Sequence, residues 1–217
     1  MGKQWAKQEA NRNELAQYVD QLTLWVQSNP QPVLWAVAAL VATALLGAGF
    51  YNRQLNRAEE SWTKLAIAQS YAYSGQASAA LDQVKQLADE YPATPSAAFS
   101  LLLAADVLYE QGKHKEAAEG YQKVINAPGL ETTIPLAMAG LGLSREASGD
   151  YKSAAETDQR FLDTFQDHFL APTVHASLAR CLSAAGEMEK AKATYERMAS
   201  LYPQTYWAEW ARARLKS

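Results

Sequence analysis

GKHKEAAEGY at 112–121 and GEMEKAKATY at 186–195 are two copies of one pattern. Each opens on a glycine, places an alanine five positions on (Ala117, Ala191) and a tyrosine nine positions on (Tyr121, Tyr195). The glycine itself recurs as Gly75, Gly112, Gly149 and Gly186, each 37 residues after the last. The alanine recurs with it, as Ala80, Ala117, Ala154 and Ala191. Seven positions before each glycine stands a small residue (Ala68, Ala105, Gly142, Ala179), and eight before stands Ile67, Ala104, Leu141 or Leu178. Twelve after comes Leu87, Val124, Phe161 or Met198. Nine after comes Val84, Tyr121, Asp158 or Tyr195, so the third unit departs from the pattern there.

A fixed period of this size marks a stacked repeat. Each unit reads as two amphipathic helices, A and B, with the glycine in the turn between them. Glycine takes positive φ without a Cβ penalty, so it ends helix A and lets helix B fold back. The small residue and the alanine let the two helices approach closely. The larger apolar residues fill the interface between hairpins, because one hairpin alone cannot bury its apolar face. The expectation is an all-α chain: an α-solenoid of four hairpins with a 37-residue period, a C-terminal cap helix at 206–216, and one transmembrane helix ahead of the repeats.

This pattern resembles the tetratricopeptide repeat (TPR), over about Ser61 to Ala208. Tyr91-Pro92 and Tyr202-Pro203 close the first and last units as that family's closing proline does. The usual TPR period is about 34 residues, so the longer period here implies longer loops between units.

Val33 to Tyr51 carries no charge. At about 1.5 Å per residue it spans the roughly 30 Å hydrocarbon core of a bilayer. Trp35, Phe50 and Tyr51 stand near its ends, where aromatic rings favour the interface. A signal peptide would need a short basic leader, whereas Glu9, Glu14 and Asp20 precede this segment, which favours an uncleaved anchor. Ala39, Thr43 and Gly47 lie four apart, a spacing that permits close helix packing in lipid but also follows from an alanine-rich composition. Ahead of the anchor, Leu15, Tyr18, Val19, Leu22, Trp25 and Val26 predict an amphipathic helix that Asn29-Pro30 stops. Beyond it, residues 52–74 contain no proline or glycine, so the apolar helix is expected to run straight into helix A of the first unit. The domains are therefore read as a tail at 1–32, a membrane helix at 33–51 and a repeat domain at 52–217.

The net charge of −3 lies beyond the membrane helix, because Lys3, Lys7 and Arg12 balance the three acids of the tail. No basic tract suggests nucleic acid. The single cysteine, Cys181, excludes an intrachain disulfide and suits either side of a bacterial inner membrane. It reads as a helix-packing or semi-exposed thiol.

The sequence holds no phosphate-binding loop, zinc helix or cluster of metal ligands. His114 sits among charged turn residues and reads as solvated, and His168 and His175 lack a triad spacing. Neither catalytic residues nor a cofactor or small-molecule substrate is expected. Binding by surface remains. Candidate partner contacts are Tyr71, Tyr73, Tyr109 and Arg145 on helices A, with Tyr206, Trp207 and Trp210 at the C-terminal end. Aromatic residues are enriched at interface hot spots, and equally common as core or cap packing.

The layout from Asn13 to Ser70 resembles a narrower TPR family, that of the ancillary Sec-translocon subunit and cell-division coordinator. That resemblance implies a single-pass bacterial inner-membrane protein with its repeats in the periplasm. It implies a scaffold or adaptor for protein partners at a larger membrane complex, with translocon-associated or chaperone-like activity. Arg53, Arg57 and Lys64 follow the anchor while residues 13–32 hold no basic residue, a bias that by itself places the repeats in the cytoplasm. The alternative function is a stable accessory or assembly subunit of another respiratory, photosynthetic or secretory complex.

Overall fold

A computed structural model describes residues 18–92, 94–127 and 131–216. Among these every regular element is a helix. Residues 18–28 form α1, followed by α2 (Pro30–Tyr73), α3 (Ala77–Glu90), α4 (Pro95–Glu110), α5 (His114–Asn126) and α6 (Ile134–Ala147). Then come α7 (Tyr151–Thr164), α8 (Ala171–Ala184), α9 (Met188–Leu201) and α10 (Tyr206–Arg214). The chain divides into two compact units, Met1–Asn56 and Arg57–Ser217.

In the first unit, Leu15 of the expected tail helix falls outside the described residues. The described part of α1 exposes Tyr18, Val19, Leu22 and Trp25. The break before the apolar segment is narrower than Asn29-Pro30-Gln31-Pro32 suggests. Only Asn29 is non-helical, and Pro30 opens α2. A proline in the first helical turn gives up an N–H that has no intrahelical partner there, and Val33 N–H already donates to Asn29 C=O at 3.4 Å. The apolar stretch of α2 includes an 18-residue window of mean hydropathy 2.2, none of it buried. Leu34, Leu40, Leu45 and Leu46 all face outward. The helix is thus long and apolar enough to cross a membrane, and this apolar stretch of it is not buried in a core.

The second unit is the repeat solenoid. Helices A are the end of α2, then α4, α6 and α8; helices B are α3, α5, α7 and α9; α10 caps the last hairpin. All four turn glycines adopt positive φ, between 74° and 82°. Each turn closes by the same bond, from the residue after the glycine to the carbonyl five residues back: Gln76 to Tyr71, Lys113 to Leu108, Asp150 to Arg145 and Glu187 to Leu182. This is the Schellman closure that a left-handed glycine makes possible.

The core follows the repeat positions. Ala80, Ala117, Ala154 and Ala191 are buried, as are Leu87, Val124, Phe161 and Met198. Burying each of the latter contributes roughly 1.5–3 kcal/mol. The position eight before the glycine is uneven: Leu141 and Leu178 are buried, whereas Ile67 is 42% exposed. Leu141 packs with Tyr121 and Val124 of the preceding hairpin. Within this unit no hairpin precedes Ile67, so the expectation of burial fails there. Proline marks helix starts rather than gaps, with Pro95, Pro135 and Pro172 in the first turns of α4, α6 and α8. The break at Ala127-Pro128-Gly129 lies partly outside the described residues.

Candidate ligand groove

Three helices A line one opening. From α4 come Leu102 and Asp106; from α6, Leu136, Ala139, Gly140 and Leu143; from α8, Thr173, Val174 and Ser177. Leu170, just before α8, completes the wall. Counted back from each turn glycine, these side chains fall at recurring positions spaced three and four apart, one face of a helix. The floor comes from helices B. Tyr121 of α5 and Asp158 of α7, both nine residues after their glycines, reach up between the helices A. The enclosed volume is about 280 Å³.

The two floor residues are held differently. The Tyr121 ring lies so close to Gly140 that a Cβ at that glycine would stand 2.4 Å from the ring. Its hydroxyl donates to Asp106 Oδ1 at 2.5 Å. Asp158 is 1% exposed, and its Oδ2 has no hydrogen-bond partner. Burial pushes its carboxyl up to about 7; nearby Ser177 opposes the shift, Glu146 adds to it and Arg180 opposes it. Arg180 is itself engaged by Glu146, through Nε–Oε1 and Nη2–Oε2 contacts of 2.7 Å each. Ser177 donates to the same carboxylate at 3.0 Å. This bidentate pair ties α8 to α6.

None of the seven residues picked from sequence lines this opening. Tyr71 is half-buried at the end of α2 and Tyr73 is 89% exposed. Tyr73 nonetheless sits two before its glycine, on the same helix stripe that carries Asp106 and Gly140 in later units. Tyr109 packs on the core of the second hairpin and against His114, with ring centroids 5.0 Å apart. Arg145 donates to Thr157 Oγ1 and to the Ser153 carbonyl, which joins α6 to α7. Trp207 and Trp210 pack on the core of the last hairpin, Trp210 edge-on to Tyr195 at 5.5 Å with Arg214 over its ring. Tyr206 is exposed.

The structure revises the reading of His114 as solvated, and decides those of His175 and Cys181. His114 is half-buried beside the Tyr109 ring, and its Nδ1 is buried without a partner. His175 is buried, with Nδ1 3.0 Å from both the Ala171 carbonyl and the Tyr202 hydroxyl. Cys181 is fully buried and its thiol is pushed up to about 12 by burial, so it is a packing group. Sequence reasoning passed over Asp106 and Ser177, and recorded Tyr121 only as a repeat position and Asp158 only as an irregularity.

A family model described as tetratricopeptide repeat-like domain matches residues 23–147. A tetratricopeptide repeat model matches residues 177–205. Comparison with curated proteins gives no match. Similar solved structures include a tetratricopeptide repeat protein from Parabacteroides merdae ATCC 43184, at 15% identity and TM-score 0.61, covering 72% of this chain and 59% of that one. Another is the set of nearly identical TPR-like repeats of a putative kinesin light chain from Podosopora anserina, at 18% identity and TM-score 0.56, covering 70% and 82%. A MamA structure matches at 20% identity and TM-score 0.55, covering 69% and 86%. At these identities the likeness is one of fold. Tetratricopeptide repeats generally serve as protein-interaction scaffolds, and no catalytic family is among the matches. With its hairpins in this arrangement and a family model spanning more than half of its length, the chain belongs to the tetratricopeptide repeat-like domain family.

Proposed function

We propose that this protein is a membrane-tethered adaptor of a bacterial inner membrane. Residues 33–51 hold it in the bilayer, and its repeats, on the periplasmic side, receive a segment of a protein partner within a larger membrane complex. The observation that carries the reading is the pairing, on one chain, of an unburied apolar helix with a groove across three helices A. A scaffold fixed in the membrane meets its partners at a raised effective concentration, so a modest groove contact suffices. The resemblance of residues 13–70 to the ancillary Sec-translocon subunit favours a helper role at the translocon. The exposed aromatics Tyr73 and Tyr206 extend the surface available to such a partner.

The test is affinity purification of the full-length protein from membranes in mild detergent, with and without residues 1–32. Retention of translocon components is the expected result. Retention of a different respiratory, photosynthetic or secretory complex would assign the accessory-subunit role instead. Recovery of the protein alone, at every detergent strength, would contradict the adaptor reading.

A further inference from the structure

Two departures from the repeat pattern occur in the third unit, and they touch each other. The slot nine past the glycine holds tyrosine in α5 and α9 but Asp158 in α7. The slot seven before the glycine holds alanine in the other units but Gly142 in α6. A Cβ at Gly142 would stand 2.1 Å from Asp158 Oδ1. The glycine therefore makes room for the carboxylate. A buried carboxylate oxygen without a hydrogen-bond partner is costly, and Asp158 Oδ2 is one. Here the carboxylate replaces a ring, in a slot where its neighbours show that a ring fits.

The surroundings say what is missing. Leu102, Leu136, Leu143 and Val174 give the opening apolar walls. Its acidic groups are Asp106 and Asp158, and among the described residues no basic side chain lines it. Arg180, which acts on Asp158, is engaged by Glu146, and Arg145 by Thr157 and the Ser153 carbonyl. The volume of about 280 Å³ is below that of pockets for drug-sized ligands and suits one long side chain. Apolar walls over a carboxylate match a basic side chain, whose methylene stem buries while its head pairs.

We propose that this opening is a subsite for a lysine or arginine side chain of the partner segment, with Asp158 as its counter-ion. The proposal rests on the groove-binding reading above and gives it a chemical specificity.

The subsite is sensitive to pH. The charged and titratable groups facing Asp158 are Glu146 on α6, Arg180 and Cys181 on α8, and, around the same cavity, Asp106 on α4 and Tyr121 on α5. Cys181 and Tyr121 are raised by burial and stay neutral near pH 7. Asp106 is raised by desolvation, while the bond from Tyr121 opposes the shift. Asp158, with its carboxyl up at about 7, changes charge in the physiological range. A cationic head binds only the ionised form, so affinity falls about tenfold between pH 8 and pH 6.

The experiment uses the full chain in nanodiscs of uncharged lipid. The probes are fluorescent nonapeptides of alanine and serine, blocked at both ends, with lysine, arginine or norleucine at the centre. Anisotropy is read at pH 8 and pH 6. The lysine and arginine peptides are expected to bind at least tenfold more tightly than the norleucine peptide at pH 8, and to lose most of that preference at pH 6. Asp158→Asn, close in shape, should abolish the preference at both values. Equal binding of all three peptides to the unaltered protein would overturn the subsite and leave the groove. A preference that survives Asp158→Asn would overturn the role of Asp158. No binding by any peptide would overturn both readings. The pH dependence of the unaltered protein decides the matter even if the variant fails to fold.

Discussion

A single carboxylate sets the chemistry of the third hairpin. Asp158 is ionised only at a cost, because burial raises its carboxyl from 3.8 to about 7. In that interval the folded chain binds a proton that the unfolded chain has lost. Stability is therefore greatest below about pH 4 for this group and declines as pH rises towards 7, by up to about 1.4 kcal/mol per pH unit. Asp158→Asn removes the charge and keeps the shape. Thermal melts at pH 4 and pH 8 should show the variant close to the unaltered protein at pH 4 and several degrees more stable at pH 8. A variant that melts lower than the unaltered protein at pH 8 would show that the carboxylate is stabilised by partners absent here. His175 works in the opposite sense: burial lowers it, so it resists protonation as pH falls. Comparing the two proteins at each pH cancels its contribution.

At the scale of helices, the repeat is carried by a few positions whose reasons are steric. The turn glycines need positive φ, and the alanines facing the partner helix need to stay small. Ala154→Leu adds three carbons at a fully buried crossing and should cost about 1–3 kcal/mol. His114→Ala, at a half-buried turn, should cost less, and denaturant unfolding of the two variants checks the order. A larger loss from His114→Ala would mean that the Tyr109–His114 stack, not the alanine crossing, holds the hairpins. These positions were legible in the sequence because spacing alone exposes them: Gly75, Gly112, Gly149 and Gly186 repeat without error. The groove was less legible. Sequence reasoning looked for aromatic residues near the ends of helices A, where Tyr109 and Arg145 prove to join neighbouring elements. The groove face lies one to three turns earlier on those helices and is lined mostly by leucine and small residues, which carry no chemical signature alone. Its floor is supplied by helices B, a placement that depends on packing. The break at Asp158 was visible, but its contact with Gly142 was not, since 16 positions separate them along the chain.

At the scale of the whole molecule, two parts with different surfaces share one chain. The unit Met1–Asn56 presents apolar side chains outward, while Arg57–Ser217 buries its own behind four hairpins and a cap. Under the proposed function the apolar stretch takes up lipid or another membrane protein, and the groove takes a partner segment. The central claim is that the tethered protein receives its partner in that groove. The most direct measurement is photo-crosslinking in intact cells, with the reactive residue placed at Leu143 inside the groove or at Lys192 on the exposed face of α9. The account predicts adducts from Leu143 to a periplasmic or membrane protein, few from Lys192, and fewer from Leu143 when Asp158→Asn is present. Equal adducts from both positions, or adducts to cytosolic proteins alone, would contradict it.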